Sequence, residues 1–414
     1  MERVRLKDIL IVIHRTINSI DQRLLDHGEQ VAYIMMNLLK AHGGYNEEEI
    51  RKICTVSIFH DIGAYKVAER DKLVDIDSIK PFNHAVYGAL FIKYFSPISD
   101  LADIVMGHHF TVKHIRERNI TNVRDEALML SLADYLAIIY LNKGYIPFEL
   151  IEDKYEEYLS EHISLFKKAV EEFDFVEKLK DNAYKDELYN YFEDTIACRD
   201  EVIAYARMLT YAIDFRSEYT VKHSITVEAV SYQIAKLYGL DNDRAIKIKV
   251  AANLHDIGKI VIPIDILEKP GKLTVKEYEI IKSHAKVSYD ILSGLNIDDI
   301  RDIAGLHHET LDGCGYPFGI QDEDISIDVR IVAIADILSA LIAARSYKGA
   351  FKKCKVVAIL NDMKNNNKID KKIVDLVIEN YDFLIAEANK EADNLINLYE
   401  NLKYEYANIL DNIG

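Results

Sequence analysis

Glycine and proline are scarce in this chain, with 17 Gly and 6 Pro among 414 residues. Sharp turns are therefore few, and together with a hydrophobic fraction of 49% this predicts an almost wholly helical protein. Its length predicts about two to three domains with sizeable cores. Cysteine is also rare. Cys54, Cys198, Cys314 and Cys354 show no metal-ligand spacing, which excludes a disulfide framework or a thiolate metal site and predicts reduced thiols in a cytosol. No apolar run approaches the roughly 20 residues needed to span a bilayer. The opening residues, Met1 to Asp8, are charged and lack the apolar core of a signal peptide, so a cytoplasmic chain without membrane contact is expected. Basic residues are outnumbered, 51 Lys and Arg against 68 Asp and Glu, for a formal net charge of −17. That balance argues against a binder of nucleic-acid polymers, which would show a basic footprint. A small anionic substrate stays open, because metal ions and a few local Lys or Arg can dominate a pocket.

What is present is a set of imidazoles and carboxylates. The stretch His307-His308-Glu309-Thr310-Leu311-Asp312-Gly313-Cys314-Gly315-Tyr316-Pro317 is preceded by His255-Asp256-Ile257-Gly258-Lys259. His284 lies between them, His223 before and Asp336 after. Each piece alone has an ordinary explanation: a His-Asp pair can cap a helix, and Gly-Tyr-Pro is a turn. Together they are what a two-metal site needs, several N/O ligands per ion and one shared carboxylate. Asp336 carries a separate argument. It interrupts the nearly all-apolar run Ile331 to Ile342, where a carboxylate is costly unless paired or metal-bound.

In order and spacing, these motifs resemble the HD-GYP family of metal-dependent cyclic dinucleotide phosphodiesterases, over roughly Tyr211 to Phe351. The resemblance implies one metal on His223, His255, Asp256 and Asp336, a second on His284, His307 and His308, and Asp256 bridging. It implies a hydroxide between two divalent ions attacking phosphorus in line, with Asp256 and Lys259 as the catalytic groups. The expected substrate contacts are Lys259, Asp312, Gly313, Gly315, Tyr316 and Pro317, followed by Arg345 and Lys348 in Arg345-Ser346-Tyr347-Lys348. The two glycines would admit a base or phosphate close to the backbone, and Tyr316 would offer a stacking face. Mixed imidazole and carboxylate ligation suits iron or manganese, and the family's habit favours iron. Some members add a third metal through a glutamate four residues before the first histidine. Here Tyr219 stands there, with Glu218 one residue off, which favours two metals.

The ligand series occurs twice. Aligning Ile20-Asp21-Gln22-Arg23 with Ile213-Asp214-Phe215-Arg216 brings His27 onto His223 and His60-Asp61 onto His255-Asp256. His84 then matches His284, His108-His109 match His307-His308, and Asp134 matches Asp336. The expected fold is all-α, two tandem helical HD-type domains. The first copy has Ala64 for the signature lysine, with Lys66 two places late, and Phe110-Thr111-Val112-Lys113 without any Gly-Tyr-Pro loop. A second metal site on His27, His60, Asp61, His84, His108, His109 and Asp134 is therefore expected, in a copy that is not itself an enzyme.

Local patterns agree. Glu228 to Tyr238 carries an apolar stripe ending at Gly239; Arg244 to Leu254 leads into His255-Asp256; Thr274 and Glu277 form a capping box. Boundaries are placed at 1–150 for the first HD domain, 151–204 for a helical connector lacking Gly and Pro, 205–370 for the catalytic domain and 371–414 for a helical extension. In the extension Leu384, Ala388, Leu395 and Leu398 lie at helical spacing, and either core packing or a homodimer seam would use them. Cyclic di-GMP, cleaved to pGpG or GMP, is the expected substrate. Thr310, where the family usually has a basic residue, and Leu311, where it commonly has an aromatic, keep 3′,3′-cyclic GMP-AMP as the alternative. A catalytically inactive dinucleotide- or partner-binding signalling protein, and a mononucleotide phosphohydrolase, are the readings from other classes. GGDEF-type or other signalling proteins are the expected macromolecular partners.

Overall fold

The computed structural model describes residues 4–19, 26–65, 82–152, 154, 156–214, 218–343 and 351–413. Among them the chain is helical, and no strand forms beyond one isolated bridge between Arg5 and Ile196. Two compact units emerge, one spanning Arg5–Ile196 with the chain from Glu400 on, the other Ala197–Tyr399 with Val4. The residues expected as a connector are divided: helices Ser160–Phe173, Phe175–Lys180 and Ala183–Asn190 pack within the first unit, and Arg199–Asp214 opens the second.

Each unit is assembled from the same succession. In the first, helices His27–His42, Glu47–Ile58, Phe82–Phe95, Ala102–Met106 and Asp125–Lys143 surround the cluster of histidines. In the second, the counterparts are Glu218–Tyr238, Asn242–Leu254, Val275–Leu292, Asp298–Gly305 and Ile327–Ile342. Short polar residues start these helices. Asp241 accepts from the Arg244 N–H, Ser326 from the Val329 N–H, and Asn46–Glu49 and Thr274–Glu277 both form capping boxes. Each such cap contributes about 1 kcal/mol. Gly43 and Gly239, both left-handed, end the first helix of each set.

The apolar helices lie deepest. Val329, Ile331, Val332, Ile334 and Leu338 are buried, so Asp336 does interrupt a central helix. In the closing helix Tyr381–Ile413 the buried row is Leu384, Ala388, Ala392, Leu395, Tyr399 and Leu402. Leu398, expected on that row, is exposed instead. The helix continues from Leu395 by a step of four to Tyr399, which rotates Leu398 off the buried face.

Candidate metal centre

Five segments of the second unit deliver the candidate ligands. His223 projects from Glu218–Tyr238, His284 from Val275–Leu292 and Asp336 from Ile327–Ile342. His255 directly follows the last residue of Asn242–Leu254, and Asp256 leads into the 3₁₀ turn Ile257–Val261. His307 and His308 follow the end of Asp298–Gly305. Placing histidines at helix ends has a consequence for their protons. The Nδ1 of His255 donates to the Ala252 carbonyl (2.7 Å), that of His307 to Ala304 (2.6 Å) and that of His284 to Ile281 (2.6 Å). Because a carbonyl can only accept, these contacts fix Nδ1 as the protonated nitrogen and leave Nε2 with its lone pair facing inward.

Those nitrogens converge on Asp256. Its Oδ2 lies 3.0 Å from His255 Nε2 and 3.6 Å from His223 Nε2, whereas its Oδ1 lies 3.2 Å from His284 Nε2. Asp336 reaches His223 Nε2 at 3.2 Å and His308 Nδ1 at 3.8 Å. Asp256 thus offers one oxygen to each of two ligand groups, His223 with His255 and His284 with His307 and His308. Burial opposes its ionisation, but the neighbouring His255, the Lys259 ammonium and a hydrogen bond from His223 hold the carboxyl well below the usual range. Burial likewise pushes His307 and His284 down and takes His308 to about 4, so these imidazoles are neutral, as ligation requires. His223 is the exception: burial lowers it, yet Asp256 and Asp336 raise it to about 9.

The donor set fits divalent cations. His255 is fully buried, and its Nε2 makes no hydrogen bond although it faces the cluster. A buried nitrogen of this kind is costly without a partner, and a metal ion is a partner that this mixture of imidazole and carboxylate accepts.

Further residues support the cluster and its loop, and sequence reasoning assigned no role to Ser288, Ser339, Glu309 or Lys282 among them. The Ser288 hydroxyl donates to the His255 carbonyl (2.8 Å) and accepts the Gly258 N–H (2.9 Å). Gly258 is obligatory there, since a Cβ would stand 2.0 Å from the His284 carbonyl. Ser339 accepts His223 Nδ1–H (3.0 Å). Buried Glu309 accepts the N–H groups of Phe318 (2.7 Å) and Gly319 (3.1 Å), stitching the Gly-Tyr-Pro loop to the residue after the paired histidines. Lys282 places its ammonium 5.6 Å from the Tyr316 ring and 5.0 Å from that of Tyr278. Only Glu309, charged and next to the motif, left a readable trace in the sequence.

The expected substrate contacts divide. Lys259 hydrogen-bonds Asp256 directly, so it does reach the centre, from the 3₁₀ turn that succeeds the helix. Tyr316 lies against His308, with ring centres 4.7 Å apart. Asp312 is engaged inside the loop, accepting from Thr310 Oγ1 (2.6 Å) and the Cys314 N–H (3.1 Å). Gly315 serves the loop as well: a Cβ would come 2.4 Å from the Thr310 nitrogen, and Gly313 has φ +73°. The glycines thus answer to the loop's own backbone. Pro317 follows Tyr316 through a cis bond. Arg345 and Lys348 lie outside the described residues, as do the side chains of Glu218 and Tyr219 and all of Lys66.

The first unit repeats the arrangement. His84 Nε2 stands 3.2 Å from Asp61 Oδ1, His60 Nε2 3.4 Å from Asp61 Oδ2, and His27 Nε2 3.0 Å from Asp134 Oδ1. His60 and His108 donate Nδ1–H to the carbonyls of Ser57 (2.8 Å) and Val105 (2.6 Å). His109 Nδ1 lies 3.9 Å from Asp134 Oδ2, and His308 Nδ1 correspondingly 3.8 Å from Asp336 Oδ2.

Fold and site together define an all-α protein with a His–Asp ligand cluster in each of two units. The HD domain is matched twice in the chain, over residues 24–139 and 207–373. The chain belongs to the HD-domain family, with two such domains in tandem. It is 27% identical over 418 residues to the 3′3′-cGAMP-specific phosphodiesterase 1 of Vibrio cholerae, covering 94% of this chain and 95% of that one. It is 37% identical over 204 residues to a cyclic di-GMP phosphodiesterase of Thermotoga maritima, covering 49% of this chain and 50% of that one. A crystal structure of a cyclic GMP-AMP-specific phosphodiesterase from V. cholerae shares the fold, with TM-score 0.57 at 19% identity, over 94% of this chain and 98% of that one. Among the described residues no helix is long and apolar enough to cross a membrane.

Proposed function

We propose that this protein is a metal-dependent phosphodiesterase that opens a cyclic dinucleotide, with the second unit as the hydrolytic one. The observation that carries this reading is Asp256, whose Oδ2 lies 3.0 Å from His255 Nε2 and whose Oδ1 lies 3.2 Å from His284 Nε2, so that its two oxygens face two separate histidine groups. One divalent ion would be held by His223, His255, Asp256 and Asp336, the other by His284, His307 and His308 with Asp256 shared; iron or manganese suits such donors. Bound there, the ions would supply Lewis-acid polarisation of the phosphate and an acidified water.

The chain's own groups do the rest. Lys259, placed on Asp256, offers an ammonium to a non-bridging phosphate oxygen, where negative charge grows in the transition state. Tyr316 presents an aromatic wall next to His308 for a nucleobase, and Arg345 and Lys348 are carried over as phosphate contacts from the family pattern. In-line attack of a water oxygen on phosphorus breaks the bond to the ribose 3′ oxygen, which leaves with a proton. The first product is a linear dinucleotide with a 5′-phosphate and a 3′-hydroxyl.

Cyclic di-GMP and 3′,3′-cyclic GMP-AMP are the two substrates in contention. The relative aligned along nearly the whole chain is named for the second, and Thr310 stands where the family usually has a base, which together favour cyclic GMP-AMP. The test is to incubate full-length protein loaded with Mn²⁺ or Fe²⁺ with both cyclic dinucleotides and with mononucleotides, and to separate products by chromatography. A linear dinucleotide should appear first. Hydrolysis of mononucleotides with both cyclic compounds intact would overturn the proposal.

A further inference from the structure

The helix that carries His284 also turns a second row of side chains toward the Gly-Tyr-Pro loop. Tyr278, Lys282 and Lys286 recur along Val275–Leu292 at steps of four, which places them on one face. That row meets the loop twice. Lys282 Nζ lies 5.6 Å from the centre of the Tyr316 ring and 5.0 Å from that of Tyr278, and Lys286 Nζ lies 5.9 Å from that of Phe318. These are cation–π distances. Tyr316 also lies against His308, so one aromatic ring is in reach of both the ligand cluster and the Lys282 ammonium.

Lys282 is only lightly engaged. Its carboxylate partner is Glu279, 2.7 Å away and less than one turn earlier on the same helix, and the two side chains are 29% and 61% exposed. An exposed pair of this kind holds its cation weakly, so the ammonium can exchange Glu279 for a stronger anion. Beside it Tyr278 is 46% exposed, an aromatic face left to solvent next to a cation. Lys259, by contrast, is bound to Asp256 and serves the phosphate at the centre. A cyclic dinucleotide carries two phosphodiesters. While one is cleaved, the other remains an anion in the same cleft and needs a cation of its own.

We propose that Lys282 binds the phosphodiester that is not being cleaved, between the aromatic faces of Tyr278 and Tyr316. This assignment rests on the hydrolytic reading of the second unit. Lys282 thereby favours a substrate with two phosphates over a simple diester. It grips substrate and transition state alike, so its effect falls on KM and leaves kcat alone.

The test uses full-length, Mn²⁺-loaded protein with the cyclic dinucleotide that it turns over and with bis(p-nitrophenyl) phosphate, which has one phosphate and no nucleobase. Lys282→Gln should raise KM for the cyclic dinucleotide about tenfold, with kcat within about twofold. Turnover of bis(p-nitrophenyl) phosphate should be unchanged. KM of wild type should climb with added KCl more steeply than KM of Lys282→Gln, because the variant has lost a charge contact that salt screens. Lys282→Arg should restore both KM and its salt dependence. An unchanged KM in Lys282→Gln overturns the proposal, as do equal losses on the two substrates, which would place Lys282 at the metal centre. A raised KM with the wild-type salt dependence also overturns it, since Lys282 would then only prop the Tyr316 ring. Failure of the hydrolytic reading shows instead in wild type, as cyclic dinucleotides left intact, so the two failures are told apart.

Discussion

The two units share a cluster of histidines and aspartates and differ in what surrounds it. Around Asp61 and Asp256 the imidazoles sit at nearly the same distances, with His84 and His284 both at 3.2 Å from their aspartates. The next layer departs: Lys259 against Ala64, Glu309 against Phe110, Lys282 against Phe82, Ser339 against Ala137. Every one of these changes replaces a polar or charged group with an apolar one. On the proposed reading, holding a cation would draw on the shared cluster and handling a phosphate diester on the residues around it, which differ between the units.

The sharpest way to break the comparison is to remove each shared aspartate in turn. Asp256→Asn should lower turnover by at least about 10³-fold, because the group facing both ligand sets is lost. Asp61→Asn should lower turnover per folded molecule by no more than about threefold while reducing thermal stability. Equal losses in the two variants, measured on the same cyclic dinucleotide, would show that the first unit is itself hydrolytic.

Next comes the lysine that only the second unit has. Lys259→Ala should cost about 10²-fold in kcat, the scale of one lost electrostatic donor to the transition state. Metal content should be retained. The converse change, Ala64→Lys, should add no hydrolysis, because the loop and Glu309 are also missing from the first unit. Activity gained by Ala64→Lys in an Asp256→Asn background would show that the lysine alone separates the units.

A smaller effect is expected from Glu309→Gln. Its carboxylate accepts two backbone N–H groups of the loop, and hydrogen bonds to a charged group contribute about 1.5–3 kcal/mol each. Glutamine keeps an acceptor oxygen but loses the charge, so a rise in KM of about tenfold with metal content intact is expected. An unchanged KM would remove Glu309 from the account of how the two units differ.

The residues that cluster in each unit were legible in the sequence for a physical reason. An aspartate inside Ile331 to Ile342, or a histidine pair ending an apolar helix, is a local contradiction that a reader can see without coordinates. Helix ends at Gly43 and Gly239 and the box at Thr274–Glu277 were equally local. The residues that stayed hidden act across the fold. Ser288 and Ser339 are ordinary in their own helices and gain a role only when another segment's histidine arrives beside them. Gly315 looked like a gap for substrate, but the backbone of Glu309 and Thr310 fills it. Leu398 was misplaced because a step of three and a step of four look alike in a leucine-rich tail, and packing alone separates them.

Ser339 and Ala137 offer the finest test of what the walls contribute. The Ser339 hydroxyl accepts His223 Nδ1–H at 3.0 Å and in turn donates to the His223 carbonyl at 3.3 Å, which orients the ring and leaves Nε2 aimed at Asp336. In the first unit Ala137 takes that position, and His27 Nδ1 is buried without a hydrogen bond. Outer partners of this kind are worth about 10- to 100-fold in metal affinity. Ser339→Ala should therefore weaken Mn²⁺ retention by the second unit by about tenfold, read as the chelator concentration needed to strip it. Ala137→Ser should strengthen retention by the first unit, provided the new hydroxyl reaches His27, and the gain should be the smaller of the two because the surrounding helix did not evolve around it. Retention unaffected in both variants would mean that the imidazole orientation is held by packing alone, and the contrast between the units would then rest on charge.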